Sequence, residues 1–177
     1  MKLQNKRLHA DIYWLAHPPC SGAFHQWLVD TGSLTARLMS RCSNFAVKHV
    51  YQYWAKPTPD EAALLGLQDG QTALIREVWL QNGEVPLVFA RSILPRHSLR
   101  GVWCKLGRLG NRPLGAALFA DAGVLRRPLA FRKLSAHHPL RAHAPQAKWA
   151  RRSVFMRDGR SILVTEAFLP AVLDLPA

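Results

Sequence analysis

Two arginines and one glutamate stand where strand patterning calls for apolar side chains, and a charge placed there must be met by an opposite charge. The runs on either side of Asn82-Gly83 read as a β-hairpin, because that dipeptide is favoured in two-residue turns. A turn at Asn82-Gly83 predicts Leu80 opposite Val85, Val78 opposite Leu87, Arg76 opposite Phe89 and Leu74 opposite Arg91. One face of that ribbon is then Leu74, Arg76, Val78, Leu80, Val85, Leu87, Phe89, Arg91 and Ile93, apolar except for the two guanidinium groups. Burying a guanidinium costs several kcal/mol unless an anion meets it, to the order given by charge-burial energetics. Glu77 and Glu84 are displaced in this register, which leaves Glu166 or Glu61 as internal partners, or a bound anion from outside. Planar, two-pronged arginine contacts suit a carboxylate.

A second hairpin is expected around Asp158-Gly159, with Phe155 opposite Ile162, Ser153 opposite Val164 and Arg151 opposite Glu166. Glu166 thereby shares a face with Ile162, Val164 and Phe168. Its cross-strand neighbour Arg151 supplies one explanation for it, a structural ion pair. The other is chemistry: a carboxylate in an apolar pocket can orient a hydroxyl or relay a proton. Between the hairpins, the turn-rich Leu109–Gly115 stretch leads into a helix started at Pro113. The free N–H groups of Leu114 and Gly115 at that start can meet an anion.

The remaining elements must hold these groups in place. Gly22 to Cys42 reads as two short helices broken at Asp30-Thr31-Gly32, with Ser33 capping the second. Asn44 to Trp54 reads as a strand. Thr58-Pro59-Asp60-Glu61 is a capping box opening a helix that stops near Gly66, with no role beyond structure expected of it. Leu125 to Leu134 is a further candidate strand, and His137 to Lys148 reads as irregular loop. Strands in hairpins with short helices beside them make an α+β fold on an antiparallel sheet, here of about six strands, in one domain spanning residues 1–177.

Composition narrows the function classes. The net charge of +13 attracts anions without choosing among them, and the basic residues lack the aromatic interleaving of a nucleic-acid stacking platform. Nucleic acid is therefore not the expected partner. Cys20, Cys42 and Cys104 are scattered and show no metal-ligand spacing, and His137, His138 and His143 have no nearby carboxylate or Cys to complete a shell, so no metal is expected. No apolar run is long enough to span a bilayer, and Met1 to Trp14 lacks a signal-peptide core; a cytoplasmic monomer is expected.

Six segments, in order, carry a family resemblance: Trp27–Thr35 (WLVDTGSLT), Arg76–Leu80 (REVWL), Ala90–Pro95 (ARSILP), Leu109–Gly115 (LGNRPLG), Trp149–Ser153 (WARRS) and Thr165–Pro170 (TEAFLP). Together, from about residue 27 to 170, they resemble the chorismate pyruvate-lyase family. The resemblance implies an antiparallel sheet with helical flaps closing over an internal pocket. It also implies cofactor-free elimination of pyruvate from chorismate to give 4-hydroxybenzoate for ubiquinone synthesis. Carried over residue by residue, Arg76 matches the arginine that binds the ligand carboxylate. Leu114 matches a loop residue offering its backbone N–H, and Glu166 the glutamate near the hydroxyl-bearing end of the ring. Leu34 stands where some relatives have Met, an apolar flap residue of similar volume. Arg91 is expected to help the side-chain carboxylate or support Arg76. Two rival classes are a non-enzymatic small-acid-sensing domain of the same fold and a charge-driven nucleic-acid binder.

Overall fold

A computed structural model describes residues 14–18 and 21–176, so Cys20 and nearly all of the Met1–Trp14 segment lie outside the described residues. After a 3₁₀ turn at Gly22–Phe24 come two short helices, α1 (His25–Leu28) and α2 (Leu34–Met39). Strand β1 (Phe45–Ala55), helix α3 (Pro59–Leu64) and strands β2 (Ala73–Asn82) and β3 (Val85–Pro95) follow. The middle of the chain holds α4 (Arg96–Leu99), a 3₁₀ turn (Cys104–Arg108) and α5 (Leu114–Phe119). Two short strands come next, β4 (Leu125–Arg126) and β5 (Ala130–Lys133), then α6 (Pro139–His143) and the closing hairpin β6 (Trp149–Arg157) and β7 (Arg160–Phe168). All pairings are antiparallel, in the order β1-β2-β3-β7-β6-β4, with β5 also on β6. The α+β expectation holds, with seven strands among the described residues rather than about six.

The local signals worked where chemistry is local. Ser33 accepts from Ala36 N–H and caps α2, and Thr58 with Glu61 forms the capping box of α3. At the last hairpin Asp158 and Gly159 both take positive φ, 47° and 69°, as a type I′ turn requires. Arg151 accordingly pairs with Glu166 and Ser153 with Val164.

The first hairpin departs from its expected register. Its turn is Gly83-Glu84, with Asn82 paired to Val85. Asn82 is drawn into the sheet because its side-chain oxygen accepts from Asn44 N–H at 3.0 Å, while Gly83 N–H donates to Asn44 O at 2.8 Å. Gly83, at φ 58°, takes the first turn position, which type II′ geometry reserves for glycine. Moving the turn by one residue preserves the faces. A bulge between Leu80 and Gln81 then exchanges them, since Gln81 faces Pro86 and Leu80 faces Val88. Arg76 therefore lies opposite Ser92 rather than Phe89, and Arg91 lies opposite Glu77 rather than Leu74.

Each face of the sheet has its own cover. On the front, Val78, Leu80, Val88 and Phe168 pack under Trp27, Leu28, Leu34 and Leu38 of the α1–α2 segment. Beside them, Leu74, Leu94, Phe155 and Ile162 pack under Trp103, Leu106, Leu109, Leu114 and Leu118. On the back, Ile75, Ile93, Val154 and Leu163 meet Leu65 from the end of α3, and Phe89, Ala150 and Ala167 meet Leu134, Leu140, Ala144 and Ala147. The His137–Lys148 stretch is thus not wholly irregular. It forms α6, capped by His138, whose Nδ1 accepts from Leu140 N–H, and it lies behind the sheet. His143 has a packing duty there, stacking on Phe89 at 5.7 Å.

Candidate functional site

Arg76 reaches its position because β2 alternates: Leu74, Arg76, Val78 and Leu80 point forward while Ile75, Glu77 and Trp79 point back. It is 2% exposed. One end of its guanidinium is fixed by backbone, with Nη2 donating to Gly110 O at 2.9 Å and Arg112 O at 3.0 Å in the turn-rich loop. Its Nε is buried without a partner, and among the described residues no carboxylate is within ion-pair distance. Burial pulls its pKa below the ordinary guanidinium value, and no neighbouring charge counters the shift. Among the described residues, Arg76 is therefore a buried cation whose only fixed partners are neutral carbonyls.

Across the same face stands Glu166, held by Arg151. The Arg151 Nε lies 2.6 Å from Glu166 Oε2, as the cross-strand register dictates. Arg151 is fully buried and its Nη1 is engaged as well, while its Nη2 is buried without a hydrogen-bond partner. Its Nη1 donates to Trp27 O at 2.9 Å, Leu28 O at 3.2 Å and Asp30 O at 2.6 Å. These carbonyls close the C-terminal end of α1, where a helix leaves acceptors without intrahelical donors. The same guanidinium thus orients the carboxylate and pins the α1–α2 segment to the sheet. Sequence pairing reveals the first contact and gives no hint of the second.

Between Arg76 and Glu166 lies a small cavity lined chiefly by apolar groups, among them Leu34, Val78, Leu114, Phe155 and Val164, with Thr35 and Ser92 adding hydroxyls. The structure thus brings Arg76, Leu34, Leu114 and Glu166 together. Leu114 opens α5 behind Pro113, which provides no side-chain cap, so its N–H belongs to the unpaired first turn. The two covering segments meet closely: a Cβ on Gly115 would stand 2.7 Å from Thr35 Oγ1. The cavity is about 40 Å³, space for a water or so. A ring-sized ligand fits there only when the segments bearing Leu34 and Leu114 move apart.

Arg91 is the exception among the expected site residues. The bulge turns it to the back face, where its Nε lies 2.9 Å from Glu61 Oε1 and its Nη1 2.5 Å from Glu77 Oε1. Those two carboxylates outweigh the cost of burial and raise its pKa further. Glu61 also accepts from Thr58 N–H, so the capping box doubles as half of this ion-pair cluster. Arg91 lines a separate back cavity of about 510 Å³ with Trp14, Asp60, Leu140, His143 and Arg152. It does not face Arg76.

Residues 13–175 match the family model described as chorismate lyase. The chain is 52% identical to the probable chorismate pyruvate-lyase of Aromatoleum aromaticum, over 96% of this chain and 98% of that one. It is 49% identical to the probable chorismate pyruvate-lyase of an Azoarcus species, over 92% and 93%. Among solved structures, the effector domain of PhnF from Mycobacterium smegmatis superposes with a TM-score of 0.55, covering 80% of this chain and 91% of that one at 15% identity. A possible transcriptional regulator, YydK from Bacillus subtilis, superposes at 0.51, with 11% identity, over 73% and 60%. At such identities the likeness speaks to the fold alone. Sequence kinship along nearly the whole chain, joined to that fold, establishes that this chain belongs to the chorismate lyase family.

Proposed function

We propose that this chain is a chorismate pyruvate-lyase, converting chorismate to 4-hydroxybenzoate and pyruvate. The observation that carries the reading is Arg76, a buried guanidinium with no carboxylate partner among the described residues, opening on an apolar cavity whose far side holds a carboxylate. Such a site suits a small ring bearing an acid group at one end and a hydroxyl at the other. In this reading Arg76 and the Leu114 N–H take the ring carboxylate, and Leu34 closes over the ring. Glu166, set by Arg151, meets the hydroxyl-bearing end.

The reaction breaks the bond between ring carbon and ether oxygen while the neighbouring ring carbon gives up its proton. The ring becomes aromatic, and the departing enolpyruvate takes up a proton to become pyruvate. Aromatisation makes the step downhill overall; the residues supply orientation and a fixed electrostatic frame, and Glu166 orients the hydroxyl or relays a proton, with no cofactor. The same reading places the enzyme in the cytoplasm as a monomer feeding ubiquinone synthesis. Purified protein mixed with chorismate should generate the ultraviolet absorbance of 4-hydroxybenzoate, at a rate unaltered by a metal chelator. No product above the spontaneous background would end the proposal.

A further inference from the structure

The proposed substrate carries two carboxylates and Arg76 can take only one, while Arg91, the other arginine of the strand pattern, is turned away and already paired. Three further cations contact residues that line the front cavity or belong to the α1–α2 segment covering it. Arg151 is committed to Glu166 and three carbonyls, and Arg37 to Asp30. Arg126 differs from both.

Arg126 ends β4, opposite Phe155 of β6. Its guanidinium lies 5.2 Å from the ring centre of Phe155 and 5.5 Å from that of Phe119, two residues that line the cavity. Its Nη1 donates to Thr31 O at 3.0 Å and more weakly to Gly32 O at 3.5 Å, in the loop between α1 and α2. Its Nε is buried without a partner, and among the described residues no carboxylate is within ion-pair distance of it. The carbonyl it holds, Thr31 O, follows directly on Asp30 O, which takes Arg151 Nη1, and Arg151 is the guanidinium paired with Glu166; Arg126 therefore stands at the Glu166 end of the cavity rather than the Arg76 end. A cation held by aromatic faces and neutral carbonyls keeps its charge available to an anion.

We propose that Arg126 is the anchor for the second carboxylate, the one on the enolpyruvyl side chain. This rests on the chorismate pyruvate-lyase reading of the same cavity. The side chain leaves from the carbon next to the hydroxyl-bearing one, so its acid group belongs at the Glu166 end, where Arg126 stands. Because 4-hydroxybenzoate lacks that acid group, Arg126 distinguishes substrate from product, whereas Arg76 and Leu114 hold both.

The test compares Arg126→Gln and Arg126→Lys with wild type, reading KM for chorismate in steady state and Kd for 4-hydroxybenzoate by calorimetry. Losing one charged contact should raise the chorismate KM of Arg126→Gln by roughly tenfold or more. Its Kd for 4-hydroxybenzoate should stay within about twofold of wild type, and Arg126→Lys should recover part of the substrate affinity. Equal weakening of substrate and product would reduce Arg126 to a brace for the Thr31–Gly32 loop and overturn the proposal. An unchanged KM would remove it from the site. Failure of the wild-type protein to form 4-hydroxybenzoate is a different result, one that sinks the functional reading itself.

Discussion

Arg76 and Arg91 sit on adjacent strands of one sheet, both withdrawn from water, and their surroundings could hardly differ more. On the back face Arg91 is held between Glu61 and Glu77, with Tyr53 donating to Glu77 from the next strand. Arg152, its neighbour there, lies 2.5 Å from Asp60 and stacks over Trp14 at 4.2 Å. On the front face Arg76 finds carbonyl oxygens and an opening. The contrast shows that burial of a charge is not itself a sign of function; what matters is whether the protein supplies the opposite charge. By size alone the back cavity, about 510 Å³ against about 40 Å³, would be the natural place for a ligand. Its Arg91 and Arg152, however, are already matched by carboxylates, and the small front cavity holds the cation that is not.

Exchanging the two arginines' fates is the sharpest way to break the comparison. Arg76→Ala should lower kcat/KM for chorismate by about a thousandfold, the ~4 kcal/mol typical of a lost buried charge contact to a ligand, while urea unfolding stays near wild type. Near-normal kinetics would show that the front cation is as structural as the back one. Arg91→Met should do the reverse. It strands Glu61 and Glu77, which should cost about 3 kcal/mol of stability by denaturant titration, with the KM of the folded fraction preserved. A large kinetic defect in a stable Arg91→Met protein would restore Arg91 to the site.

A smaller effect separates the roles of Glu166. Glu166→Gln keeps the shape and removes the charge, and kcat should fall about a hundredfold, within the usual range for a lost acid–base group. Should that variant unfold in milder denaturant while its kcat holds, the Arg151–Glu166 pair is structural.

The smallest predicted effect lies on the back face, at Asp60. Burial tends to raise its pKa, but hydrogen bonds from Thr58 and Arg152 and the Arg152 charge bring it below the ordinary 3.8. A carboxyl whose pKa is depressed by folding stabilises fully above its unfolded value and loses that contribution as pH falls towards the folded one. Wild type should therefore lose more stability between about pH 5 and about pH 3 than Asp60→Asn does. Parallel acid losses in the two proteins would show that the Arg152–Asp60 contact contributes nothing.

What the sequence disclosed follows the range over which each signal acts. The Asp158-Gly159 turn, the Ser33 cap and the Thr58–Glu61 box are fixed by residues within a few positions of one another, and the first of these placed Glu166 opposite Arg151 correctly. The first hairpin carries an equally strong dipeptide, yet Asn44, remote in sequence, pulls Asn82 into pairing and the bulge reverses β3. Arg91 was misplaced for that reason alone. Arg126 gave no local signal, because its neighbours Thr31, Phe119 and Phe155 come together only in the folded chain. The helix start at Pro113 already pointed to the Leu114 N–H, whereas Leu34 came into view only through motif resemblance; periodicity by itself would have left it as an ordinary core leucine.

The double grip of Arg151 has a kinetic consequence. Lifting the end of α1 away from the sheet means breaking hydrogen bonds from the very guanidinium that aims Glu166. If the proposed lyase frees its product by lifting this segment, the same movement loosens Glu166 and reclosure resets it, so that admission and chemical readiness would run on one clock.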